Sequence, residues 1–368
     1  MTGLTWFIAI TFFVVFIQAC IYRRWGLSNV EYSRYFNKKE VFEGEFVEMV
    51  EKIYNKKILP LPWLRIESKI DANLEFQKQT NLDIKHEQFH KSMFSLMPYT
   101  GIIRRHKIKC KKRGLYTLNS AAITCGDLFG VQDISKTYQI DAKLIVYPEI
   151  LSLDEIPLPA HSLQGDVVVR RWIVDDPFII SGVREYTYGD PLNRVNWKAT
   201  AKVGRLQVHN NDFSAQPRIL IYLNVDISED MWDAVTDKER IEKGISYAAS
   251  IANYAISKGI DVGFGSNAHM KGAEAQPIRI EPAGGKQQLL YLLEAMAKLE
   301  IERDLTFHTF LEQDIQRGLT GHDILILSCF MSDRLEDQIN ILRKNGNAVE
   351  FMFLDEEGRL EEEYAWAK

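Results

Sequence analysis

Sulfur is scarce in this sequence of 368 residues: its four cysteines, Cys20, Cys110, Cys125 and Cys329, stand apart with no CxxC spacing. They make no zinc pattern, and a reducing compartment suits them better than a disulfide framework. A surplus of one charge is missing as well. Lys and Arg number 45 against 50 Asp and Glu, a formal net charge of -5, so nothing in the balance draws the chain to nucleic acid. No strand leads into a GxGxxG or GxxxxGK[ST] loop, which removes both nucleotide fingerprints. The eight histidines form no HExxH, and neither Ser181 nor Ser228 sits in a nucleophile elbow. Nothing here demands an enzyme.

Long hydrophobic runs are rare too, with one exception. Residues 4–22, LTWFIAITFFVVFIQACIY, hold 19 residues without a charge. As a helix the run rises about 28 Å, close to the hydrocarbon thickness of a bilayer. A cleaved signal peptide would need a basic stretch before the run, and there is none; a buried soluble helix is the plainer alternative. Arg23 and Arg24 follow at once, then Arg34, Lys38 and Lys39. The reading is a single-pass cell-membrane anchor, in contact with lipid, with the bulk of the chain in the cytoplasm by the positive-inside rule.

Residues 26–150 read as a β-rich, sandwich-like domain: short alternating runs such as LPWLRIESKI, GLYTLNSAAITCG and YQIDAKLIVYP, broken by turn residues. Within it RRHKIKCKKR, residues 104–113, carries seven Lys or Arg. In a strand, Arg105, Lys107, Lys109, Lys111 and Arg113 share one face. A solvated edge strand and a contact for anionic lipid heads both fit that pattern.

Residues 151–215 form a connecting segment that includes a Val-rich strand, DVVVRRWIV. From 216 to 368 strands and helices alternate, as in a doubly wound α/β sheet. PRILIYLNVDIS reads as a buried parallel strand. The helix after it has Asp237 as N-cap, Gly259 just past its end, and an apolar face of Ile241, Ile245, Ala248, Ala252 and Ala255. Ligands of such sheets gather at the carboxyl ends of the strands. The candidates there are Asp226, Ser228 and Asp230 after one strand, and Ser328 and Asp333 after another. The first three could offer oxygens to Mg²⁺, although turn-capping explains the same residues. Cys329 is expected to be buried and inert.

One stretch does not read as scaffold: SGVREYTYGDPLNRVNWKATAK, residues 181–202. Arg184 and Asp190 suit a charge-assisted pair, Gly189 permits backbone angles closed to other residues, and Trp197 has a large area to bury. The stretch reads first as a structural buckle, with a docking loop and a catalytic site as alternatives. Gly182, Arg184, Tyr186, Gly189, Asp190, Val195, Trp197, Lys198, Thr200, Ala201 and Lys202 fall on a pattern that resembles the signature of the domain of unknown function 58 family. KKRGLYTLNSAAITCGDLFGV and LIVYP resemble its upstream sandwich, so the likeness spans nearly the whole chain.

That resemblance implies an α+β protein: a transmembrane helix, a β-rich domain and a von Willebrand factor A-like α/β domain. It also implies a partner, an AAA+ ATPase of the MoxR type. The sequence departs from the family in having one span where two are common, and in a degenerate metal motif with Asp230 in place of the usual third Ser. The expectation is a non-enzymatic interaction or assembly protein, without cofactor, whose partner meets Asp226, Ser228, Asp230, Ser328 and Asp333. The alternatives are a Mg²⁺-dependent adhesion-type module and a hydrolase using Arg184 and Asp190.

Overall fold

The computed structural model describes residues 2–77, 82–83, 87–130, 133–157, 180–186, 195–211, 218–229, 235–273 and 276–354. The chain divides into two units, Met1–Glu149 and Ile150–Lys368. The uncharged N-terminal run forms α1 (Thr2–Trp25), with Arg23 and Arg24 in its last turn, where cations complement the helix dipole. Most of its large apolar side chains face outward, and it is long and apolar enough to cross a membrane.

Among the described residues of the first unit ten strands follow. They are β1 (Val30–Phe36), β2 (Glu40–Phe42), β3 (Phe46–Asn55), β4 (Leu61–Asp71), β5 (Leu74–Phe76), β6 (Leu82–Asp83), β7 (Glu87–Leu96), β8 (Gly101–Cys110), β9 (Gly114–Gly126) and β10 (Asp133–Tyr147). They pair as two sheets, β1-β3-β8-β5 and β2-β10-β9-β4-β7-β6, antiparallel except for β10 with β2. The two-residue alternation turns one face of each sheet inward. Val47, Met49 and Ile108 of the first sheet meet Leu118, Leu144 and Val146 of the second. Further along, Ile53 packs with Leu64, Ile66 and Ile123. The two sheets thus share one apolar core between them. Cys110 and Cys125 lie inside it, and burial pushes both thiols up to about 11.

The basic run departs from expectation. β8 lies between β3 and β5 and is not an edge strand. Arg105, Lys107, Lys109 and Lys111 do face outward, but Arg113 is buried. The strand ends at Cys110, so the shared face ends before Arg113. Lys107 sits over the Phe46 ring at 4.3 Å.

A charged cluster is also built into this unit. Arg34 and Glu51 are direct cross-strand partners, both buried, with Nη2 3.5 Å from Oε1. Tyr32 Oη donates to Glu51 Oε1 at 2.7 Å, Arg34 Nη1 donates to Ser68 Oγ, and His106 Nε2 lies 3.7 Å from Glu51 Oε2. Burial, followed by the neighbouring Glu51 charge and hydrogen bond, holds the Tyr32 phenol far above its usual range despite the opposing Arg34 charge.

The second unit contains β11 (Ile180–Glu185), α2 (Trp197–Val203), β12 (Gln207–Asn211), β13 (Arg218–Leu223), α3 (Lys238–Ser257), β14 (Asp261–Ser266) and β15 (Ala268–Met270). It continues with β16 (Ile278–Ala283), α4 (Gly285–Lys298), β17 (Leu299–Arg303), α5 (Phe307–Gln316), β18 (Asp323–Ser328), α6 (Asp333–Lys344) and β19 (Ala348–Phe353). The main sheet runs β16-β14-β13-β18-β19, parallel except for β16. Leu220 and Tyr222 pack with Phe307, Phe310 and Leu335 of α5 and α6. Leu223, on the opposite face, approaches Gly244 of α3, where an added Cβ would lie 3.0 Å from it. Helices therefore cover both faces, and the order of strands reverses at β13.

Asp237 caps α3, accepting from Arg240 N at 3.1 Å, and Gly259 follows at φ +82°. Ile241, Ile245, Ala248, Ala252 and Ala255 are all buried. β16 and α5 were not legible beforehand. β16 is a short edge strand broken by Pro282, and edges tolerate proline where central strands do not. The Val-rich run of residues 166–174 lies outside the described residues.

Replacing Glu51 with Ala should remove a counter-charge from beside the buried Arg34 and cost about 3–5 kcal/mol. Denaturation of the detergent-solubilised protein, with hydrogen exchange read at β3 and β8, measures this. Unchanged protection would mean that the cluster is not what holds these strands.

Candidate functional site

The switch in strand order puts the ends of β13 and β18 side by side, where an open sheet takes its ligands. Asn224 N–H donates to Leu327 O at 2.9 Å, and Asn224 Nδ2 donates to Ser328 Oγ at 2.9 Å. Ser328 Oγ in turn donates to Phe330 O at 2.9 Å. Asp226 N–H donates to Asn224 Oδ1 at 2.9 Å. The Asp226 carboxylate is engaged on both oxygens. Oδ1 accepts from Asn267 Nδ2 at 3.1 Å, and Oδ2 accepts from Phe307 N–H, at the start of α5, at 2.9 Å. Burial raises the Asp226 carboxyl above 3.8, opposed by the Phe307 hydrogen bond and by Arg303.

The predicted partner-binding residues are thus split. Asp226 and Ser328 are buried and support the edge from beneath. Ser228 and Asp333 are exposed, with Asp333 opening α6 behind its cap Ser332, which accepts from Leu335 N at 3.4 Å. Asp230 lies outside the described residues. Cys329 is half-buried, not fully buried as expected, because it stands just past the last strand position.

The signature folds as a hairpin with a helix in its turn. Gly182 pairs with Asn210 and Arg184 with Val208 across β11 and β12. Tyr186 N–H donates to Leu206 O at 2.9 Å. Asn196 caps α2, accepting from Ala199 N–H at 2.9 Å, and Thr200 Oγ1 accepts from Gln207 N–H at 3.0 Å. Val195 and Val208 are buried beneath. Trp197 is 68% exposed, and Lys198 beside it is exposed too, which overturns the expected burial of the tryptophan. Trp197 opens a seven-residue helix that has no buried residue of its own. Gly189 and Asp190 lie outside the described residues, as does the side chain of Arg184.

Both features fall in one family segment. Residues 182–359 match the family described as "Protein of unknown function DUF58". The chain is also 21% identical over 265 residues to "Uncharacterized protein YeaD" of Bacillus subtilis (strain 168), covering 71% of this chain. It spans about 62% of that relative's length. Solved structures show only slight likeness. The CARDB domain of a Pyrococcus furiosus protein, in complex with di-metal ions, matches with a TM-score of 0.21 and 11% identity, over 33% of this chain and 96% of that one. A non-cellulosomal cohesin from Archaeoglobus fulgidus matches at 0.23 and 13%, over 34% and 94%.

Within residues 182–359 two further clusters escaped the sequence reading. A cavity of about 260 Å³ is lined by Tyr222, Arg279, Asp314, Arg317 and His322 among others. Asp314 accepts from Tyr222 Oη at 2.8 Å and from Arg279 Nε at 2.7 Å, and Arg279 lies over the Phe310 ring at 4.1 Å. These side chains come from β13, β16 and α5, far apart in sequence. In the second cluster His269 Nε2 is 3.3 Å from Glu300 and Nδ1 is 2.9 Å from Asp304. Ligand atoms of His269, Glu300 and Glu302 lie within 4.8 Å of one another. Such a donor set suits a divalent ion. Only the pairing of β15 with β17 creates it.

Asp226→Asn should destabilise the second unit by about 1–3 kcal/mol near neutral pH. The new amide would present N–H to either Asn267 or Phe307, both already donors. Asn267 cannot turn over, because its Oδ1 accepts from Val225 N–H at 3.0 Å. The pH dependence has a definite sign. The folded carboxyl takes up its proton before the unfolded one, so its contribution to stability rises as pH falls through the folded pKa toward 3.8. The gap between wild type and variant, from denaturation at a series of pH values, should widen in that window. A gap that narrows there would contradict this account.

Proposed function

We propose that this protein is a membrane-anchored, non-enzymatic interaction protein whose signature helix docks a protein partner. The exposure of Trp197, at 68%, carries the reading. A large aromatic left in water at the start of a capped helix contributes little to folding, and such residues are typical anchors of protein interfaces. Val203 at 60% and Leu206 at 40% exposed extend the apolar surface, and Lys198 adds a charge. The partner that the family resemblance implies is an AAA+ ATPase of the MoxR type. At the carboxyl edge Asp226 and Ser328 are engaged by neighbouring donors and acceptors, which favours a supporting role over catalysis or Mg²⁺ binding. α1 supplies the anchor, and Arg23 and Arg24 after the apolar run favour a cytoplasmic location for both units.

Trp197→Ala combined with Lys198→Glu should leave thermal stability within about 0.5 kcal/mol of wild type. It should weaken binding to a MoxR-type ATPase of the same genome by about 2 kcal/mol or more, read by biolayer interferometry on detergent-solubilised protein. A melting temperature that drops while binding persists would return the signature to a structural role. Separately, a reporter fused after Lys368 should be active only if it functions in the cytoplasm. Activity of a reporter that works only outside the membrane would reverse the orientation.

A further inference from the structure

We propose that the end of the β-sandwich beside α1 is itself set into the membrane surface, with Leu128 and Phe129 as its lipid-facing tips. This rests on reading α1 as a membrane span. The helix is not free along its whole length. Val15 and Gln18 are half-buried and Ala19, Tyr22 and Gly26 are buried, a face with helical spacing that packs on the sandwich. Gln18 Nε2 donates to Asp127 Oδ2 at 2.7 Å, and Tyr22 Oη donates to Pro60 O at 3.0 Å. Lys57 Nζ donates to the carbonyls of Gly26 and Ser28, just past the helix end. A Cβ on Gly26 would lie 3.0 Å from Cys125 Sγ.

Helix length then decides the depth. With the sandwich wholly in water, only residues 4–14 would be left for hydrocarbon. They rise about 16 Å, roughly half the ~30 Å of a bilayer core. The full run, residues 4–22, reaches about 28 Å, but only if the level of Gln18 lies inside the membrane. Asp127 is held at that level. Arg23 and Arg24, both exposed, mark the headgroups, and Gln18 is about 8 Å deeper along the axis. That depth matches the roughly 5–10 Å to which interfacial elements sink. The two residues after Asp127 are built for it: Leu128 is 62% and Phe129 64% exposed. Ile58, 76% exposed, stands in the neighbouring loop that ends at Pro60. In water these side chains gain nothing; at the acyl boundary the same area is removed from water.

The test uses the full chain in phosphatidylcholine vesicles, with Cys20→Ser and Cys329→Ser to remove the accessible thiols. Nitroxides are placed singly through Phe129→Cys, Val14→Cys in mid-helix, and Asp141→Cys, where the native side chain is 81% exposed. Accessibility to oxygen and to a water-soluble nickel chelate is then compared. Positions 14 and 129 should both favour oxygen and exclude nickel, while position 141 does the reverse. Nickel access at 129 with position 14 in lipid overturns the insertion and leaves the span intact. Nickel access at both overturns the span, and the insertion with it. Shielding of 129 from both reagents means that another protein chain covers the tip, and it too overturns the proposal.

Discussion

The Asp226 carboxylate ties three elements of the α/β unit into one edge. It stands just past β13, takes one N–H from Asn267 after β14, and takes another from Phe307 at the start of α5. A buried carboxylate costs free energy unless its oxygens are satisfied, so each donor is needed where it is. Asn267 then reaches Val225 N–H and Leu305 O as well, and Asn224 carries the linkage to Ser328. At the place where an α/β sheet commonly opens for a ligand, Asn224, Asp226, Asn267 and Ser328 hydrogen-bond to one another. Asp226 and Ser328, an acidic and a hydroxyl residue at the strand ends, help fasten the sheet.

Bonding of this kind at the edge moves attention to surfaces that are not self-satisfied. On the signature hairpin, Val195 and Val208 go inward and the cap of Asn196 satisfies the helix start. Trp197 is left with no folding task. The backbone pairing of Gly182 and Arg184 builds the platform, and Trp197 stands exposed on it.

α1 has a similar double character. One stripe packs through small or polar residues, Ala19, Gln18 and Gly26, and the rest of its circumference is bare Phe, Ile and Trp. The small residues let the sandwich approach closely, and the polar one meets Asp127. An apolar helix seated in this way fixes the sandwich against whatever solvent surrounds the helix, because neither can move without breaking the Gln18, Tyr22 and Lys57 hydrogen bonds.

Periodicity alone determined a good deal. The uncharged run, the alternation of β4 and β9, and the 3.6-residue face of α3 with its Asp237 cap are local patterns, and local patterns survive folding when burial rewards them. The scattered spacing of the four cysteines is a local signal of the same kind. What depended on tertiary structure was every pairing between residues distant in the chain. Strand position decided that β8 is interior and that Arg113 turns inward. Topology decided that Asp226 meets Phe307, that Asp314 gathers Tyr222 and Arg279, and that His269 faces Glu300. Trp197 shows the limit most plainly: its size argues for burial, but only the surrounding elements determine whether anything lies above it. Hydrophobicity states a preference for burial; packing geometry decides which residues obtain it.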